Sequence, residues 1–104
     1  MAVTAPLDVA GWQLQCGEVH PDLIVDLRQP GAFAKARMHR AINIPYEQLQ
    51  LRGVSELTDR GHVLVVDPGG ARAAEMAVWL RRHGIDASYL VGGYAQWTGP
   101  LERG

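Results

Sequence analysis

Val63-Leu64-Val65-Val66 is an unbroken β-branched and leucine run that passes directly into Asp67-Pro68-Gly69-Gly70-Ala71-Arg72. No feature restricts the fold more. A strand with no polar alternation is buried on both faces, which is the situation inside a parallel sheet covered by helices. Leu23-Ile24-Val25 is a second such run. Ala41-Ile42-Asn43-Ile44, stopped by Pro45, and Ser88-Tyr89-Leu90-Val91, stopped by Gly92-Gly93, are shorter strand candidates. Both apolar runs belong at the centre of the sheet.

Helical patterns separate these strands. The pattern predicts helices over Pro6–Cys16 and Pro45–Arg52, each with proline in its first turn, where the missing N–H costs nothing. Gly53 would end the second. The third, Ala71–His83, is alanine-rich and unbroken, with Arg81, Arg82 and His83 in its last turn and Gly84 as the residue beyond. Strands alternating with helices predict an α/β fold with a mainly parallel sheet of about five strands and helices on both faces.

Length and composition agree. The 104 residues suit one domain, 1–104, with hydrophobic residues at 47% and charged residues at 20%. No apolar run approaches the roughly 20 residues of a membrane span, and Met1 to Pro6 does not read as a signal peptide. A net charge of −1 gives no field for nucleic acid. One cysteine, Cys16, forbids an internal disulfide and suits a reducing cytoplasm. It falls on one stripe of the first predicted helix with Val9 and Trp12, so it is expected to pack against the sheet. His20, His39, His62 and His83 are dispersed without ligand-like spacing, and neither a metal nor a cofactor is expected.

Chemistry is expected in the loop after Val66, since ligands of open α/β sheets bind beyond the carboxyl ends of the strands. Gly69-Gly70 lets the backbone curl and turn its N–H groups inward, and the start of the following helix adds positive potential. Asp67, Pro68, Gly69, Gly70, Ala71 and Arg72 therefore form a candidate anion cradle. A capped strand-to-helix turn is the plainer alternative.

Four segments in order resemble a rhodanese-like (sulfurtransferase-fold) domain over nearly the whole chain. Leu23-Ile24-Val25-Asp26-Leu27-Arg28 is similar to that family's strand ending in Asp-x-Arg, with Phe33 near its usual aromatic. Ala41-Ile42-Asn43-Ile44-Pro45 is similar to its Ala-Ile-Asn-Ile-Pro segment, and Val91-Gly92-Gly93-Tyr94 with Trp97 to its Gly-Gly-x-x-x-Trp signature. Active members carry Cys-x-x-Gly-x-Arg after the central strand, and the cysteine thiolate carries sulfur as a persulfide. Here Gly70 and Arg72 fit that pattern and Asp67 stands at the nucleophile position. The family's Gly-His-Ile-x-Gly-Ala is replaced by Ala36-Arg37-Met38-His39-Arg40-Ala41. Asp26, Arg28, Arg37 and Arg40 are the candidates to flank the pocket.

The resemblance implies two functions. The first is a silent domain acting as a protein-interaction or regulatory module with an unidentified protein partner. The second is a sulfurtransferase using an unusual nucleophile or a partner's thiol. A phosphatase of related fold is disfavoured by loop length and the missing cysteine. Haloacid-dehalogenase chemistry needs a second aspartate where Gly69 stands, and Gly69-Gly70 lacks the third glycine of a dinucleotide loop.

Overall fold

The fully buried strand β5 (Val63–Val66) lies in the middle of a five-stranded sheet in the computed structural model, which describes residues 3–104. Around it are β1 (Asp8–Val9), β2 (Leu23–Asp26), β4 (Ala41–Asn43) and β6 (Ala87–Leu90), in the order β1-β6-β5-β2-β4. Every pairing in this sheet is parallel. Both apolar runs occupy inner positions, as their composition requires.

The helices are α1 (Gly11–Gln15), α2 (Pro30–Lys35), α3 (Tyr46–Leu57), α4 (Ala71–Arg82) and α5 (Gly93–Gln96). Alternate residues of β5 feed two cores. Val63 and Val65 pack with Leu49 and Leu57 of α3 and with Met76 and Leu80 of α4. Leu64 and Val66 pack on the other face with Met38 and Leu90, against Leu14 of α1 and Tyr94 of α5. Helices thus cover both faces. Among the described residues, no helix is long and apolar enough to cross a membrane.

The end of α4 follows its sequence closely. Gly84 takes φ +81°, its N–H donates to the Arg81 carbonyl, and the Ile85 N–H reaches back to Leu80. This paired capping satisfies carbonyls that the helix leaves open.

Three expectations need correction. The segment Pro6–Cys16 is not one helix, because Asp8–Val9 pairs with β6 and α1 begins only at Gly11. A helical stripe counted across that break has no meaning: Trp12 is 61% exposed and Cys16 is exposed, not packed against the sheet. Gly53 does not end α3. It is buried inside the helix, where an added Cβ would come within 3.2 Å of Leu49 and 3.5 Å of Leu80 on α4, so its small size serves helix packing. A short antiparallel pair, β3 (Ala36–Arg37) with β7 (Glu102–Arg103), was not expected from the sequence.

His62, just before β5, is coupled to the chain start. Its Nε2 lies 2.7 Å from the Ser88 hydroxyl, and that hydroxyl already donates to the Pro6 carbonyl. Nε2 therefore carries the proton and donates. Burial lowers the His62 pKa, outweighing the pull of Asp86 and Asp22 in the other direction, while Arg81 reinforces the lowering. The unfolded chain then takes a proton at higher pH than the folded one. His62 supports the fold fully above its ordinary value of about 6.5, and that support is lost as pH falls through the lower folded value. Urea midpoints measured from pH 7.5 down to pH 5 should fall less steeply for His62→Gln than for the unaltered protein.

Candidate functional site

Asp67 follows the last residue of β5 and is buried, 3% exposed. The chain reverses at once through Gly70, whose φ of +102° leaves it as the residue before α4. Glycine is needed there, since a Cβ would stand 3.0 Å from the Gly92 backbone nitrogen. The reversal turns successive N–H groups toward the Asp67 side chain. Oδ1 accepts from the Gly70 N–H at 2.5 Å, and Oδ2 accepts from Arg72 at 3.0 Å and Ala73 at 3.2 Å. The inward-facing N–H groups are thus taken up by the chain's own carboxylate.

The loop is braced from outside. The Tyr94 and Ala95 N–H groups of α5 donate to the carbonyls of Asp67 and Pro68, both at 2.9 Å. This contact is close enough that a Cβ on Gly93 would lie 2.2 Å from the Asp67 carbonyl oxygen. Pro68 and Gly69 are exposed at the tip, and Ala71 opens α4. Arg72 contributes its backbone N–H to the Asp67 carboxylate. Its guanidinium stands over the Tyr46 ring, 4.5 Å from the centroid, and the Tyr46 hydroxyl bonds Glu75 at 2.8 Å.

Asp26 and Arg28 lie beside the loop, because Asp26 pairs with Val66 in register. Asp26 is fully buried. Its carboxylate accepts from the Arg28 backbone N–H at 2.9 Å, from Arg28 Nη2 at 2.9 Å and from the Tyr94 hydroxyl at 2.7 Å. Arg28 also donates to the Ala36 carbonyl at 2.6 Å and lies 3.8 Å over the Tyr94 ring. Its guanidinium is thereby bound into the wall beside the loop. Burial opposes its charge, but the hydrogen bond and charge of Asp26 prevail and raise its pKa. Burial first, and the bond to Asp26 second, push the Tyr94 phenol up to about 12.

Tyr94 links these parts, and sequence reasoning placed it only as a residue of the closing glycine motif. Its N–H holds the loop, and its hydroxyl donates to Asp26 while accepting from the Met38 N–H at 3.0 Å. The one signal available was its position directly after Gly92-Gly93.

Arg40 is placed away from the loop. Ala41 pairs with Ile24 and Asn43 with Asp26, so Arg40 precedes the amino-terminal end of β4, at the edge of the sheet opposite the loop. Strand rise alone separates the two levels by about 13 Å. Arg37 belongs to β3 and reaches the Phe33 and Ala34 carbonyls and Glu102. The segment before β4 meets the network through its backbone, at the Ala36 carbonyl and the Met38 N–H, while it pairs with β7.

Chemically, the loop presents a carboxylate already engaged by three N–H donors beside a closed Asp26–Arg28–Tyr94 network. The comparisons with known proteins match this architecture. A family model described as Rhodanese-like domain matches residues 9–100. The chain is 31% identical over 80 residues to the protein called Uncharacterized protein YqhL of Bacillus subtilis, covering 76% of this chain and 63% of that one. It thus spans just under two thirds of that relative's length. The crystal structure of a rhodanese-like domain protein from Staphylococcus aureus superposes with a TM-score of 0.81 at 26% identity, covering 93% of this chain and 97% of that one. Thiosulfate sulfurtransferase from Pseudomonas aeruginosa has the same fold at 24% identity and a TM-score of 0.76, covering 93% of this chain but 20% of its own. With its parallel sheet, its strand-to-helix loop and a family match over almost its full length, the chain belongs to the rhodanese-like domain family.

Proposed function

We propose that this rhodanese-like domain does not transfer sulfur and works as a protein-interaction or regulatory module of the cytoplasm. One observation carries the reading: both oxygens of Asp67 are already bonded to the N–H groups of Gly70, Arg72 and Ala73. In active members that the chain resembles, a thiolate at this position accepts a sulfane sulfur and passes it to a nucleophilic acceptor. A carboxylate oxygen is hard and weakly nucleophilic, and it holds no transferable sulfur. Cys16 offers no replacement. It follows α1, which returns the chain toward the amino-terminal end of β2, whereas Asp67 lies beyond the carboxyl end of β5.

Thiocyanate formation from thiosulfate and cyanide tests this directly. No turnover above background is expected, for the unaltered protein or for Cys16→Ser. Turnover would overturn the reading, and its loss in Cys16→Ser would assign it to that thiol. Asp67→Cys should place a thiol among the same N–H donors, which favour its thiolate, so it should react with iodoacetamide faster than Cys16 does at pH 7. Asp67→Asn, with the competing charge removed, should bind sulfate that the unaltered protein does not.

A further inference from the structure

At the opposite end of the sheet from Asp67 lies a hollow of about 530 Å³, within the range of small-molecule sites. Leu14, Val19, Ile24, Met38 and Trp97 give it an apolar interior, and His20, Asp22, His39 and Arg40 lie around it. Asp22 accepts the His62 backbone N–H at 2.7 Å, a neutral donor that leaves its carboxylate charged. His39 is bonded to Glu102 at 2.6 Å. Arg40 differs from both. It is exposed, and among the described residues no carboxylate pairs with its guanidinium.

Arg40 also has φ +64°, a left-handed conformation that favours glycine. The Arg40 backbone N–H is held inside the fold by Glu102, and its guanidinium is left to face outward over the hollow without a carboxylate of its own among the described residues. We propose that the hollow binds a small amphipathic carboxylate. Its aromatic or branched apolar body fills the space between Ile24, Met38 and Trp97, and its carboxylate pairs with the Arg40 guanidinium. An arginine fork at the edge of an apolar cavity matches such a ligand in charge and in shape. The site is independent of the Asp67 loop and of whether that loop is silent.

The probe is 3-phenylpropionate, titrated into the full chain and followed by amide NMR. Saturable shifts are expected at Val19, Met38 and Arg40, with 3-phenylpropionamide binding weaker by about tenfold or more, because it lacks the charge. Acetate, which lacks the apolar body, should produce no saturable shift. Arg40→Gly should be at least as stable as the unaltered protein, since glycine suits φ +64°, and should bind the acid about tenfold more weakly. Three results would overturn the assignment: no saturable shift in the hollow, equal binding of acid and amide, or unchanged binding by Arg40→Gly. A less stable Arg40→Gly protein would overturn the premise that Arg40 is strained.

Discussion

Gly93→Ala is expected to destabilise the domain by roughly 3–5 kcal/mol, while Gly69→Ala, in the loop it braces, should change stability by less than about 0.5 kcal/mol. The contrast follows from what each new methyl meets. At Gly93 it falls 2.2 Å from the Asp67 carbonyl oxygen and 2.8 Å from the Gly69 nitrogen, and φ is +57°. Those are backbone atoms, so no side-chain rotation relieves the overlap. The start of α5 must retreat, breaking the Tyr94 and Ala95 hydrogen bonds to the loop. At Gly69 the methyl has nothing within 4 Å. Urea denaturation of the two variants decides the point. Equal midpoints would mean that α5 does not hold the loop.

Removing the buried carboxylate with Asp26→Ala should cost about 3–5 kcal/mol, the range for breaking a buried pair by deleting one partner. The cost comes from what remains. The Arg28 side chain is only 15% exposed, and it would keep its charge without its counter-ion. The Tyr94 hydroxyl would lose its acceptor at the same time. An independent readout accompanies the stability change. Because burial is the first cause of the raised Tyr94 pKa and Asp26 the second, the value should fall from about 12 yet stay above the ordinary 10. NMR titration of the Tyr94 ring measures this. An unaltered Tyr94 pKa would show that the bond to Asp26 does not tune the phenol. Asp26→Asn, which preserves size and an acceptor oxygen, should be less costly in the same urea assay.

The inner strands were legible because burial on both faces leaves a one-dimensional trace, a run such as Val63-Leu64-Val65-Val66 with no polar interruption. The end of α4 was legible for a similar reason, since Gly84 supplies a backbone conformation that few other residues adopt readily. Two-residue strands carry no periodic signal, so the helical pattern runs straight through β1 and carries Cys16 toward the core with it. Gly53 shows a different limit. A glycine between helical residues reads equally as a stop or as a point of close packing, and only the approach of Leu80 distinguishes them. At the site, the loop could be read because its residues are consecutive. The Asp26–Arg28–Tyr94 cluster draws on both ends of the chain, and no local pattern announces that Tyr94 reaches Asp26.

The place of β1 in the sheet sets an order on how the domain assembles. β2, β5 and β6 are joined by stretches of chain that each include a helix, so they can pair progressively as those segments meet. β1 pairs only with β6, Asp8 opposite Tyr89, bringing together opposite ends of the chain for two residues of ladder. Closing so long a loop is favourable only once β6 is already fixed against β5. The edge strand is therefore a late arrival in folding and an early departure in unfolding. Slow hydrogen exchange should centre on β5, with the amides of Tyr89 and Val91 that bond to Leu7 and Val9 exchanging first among those of the sheet.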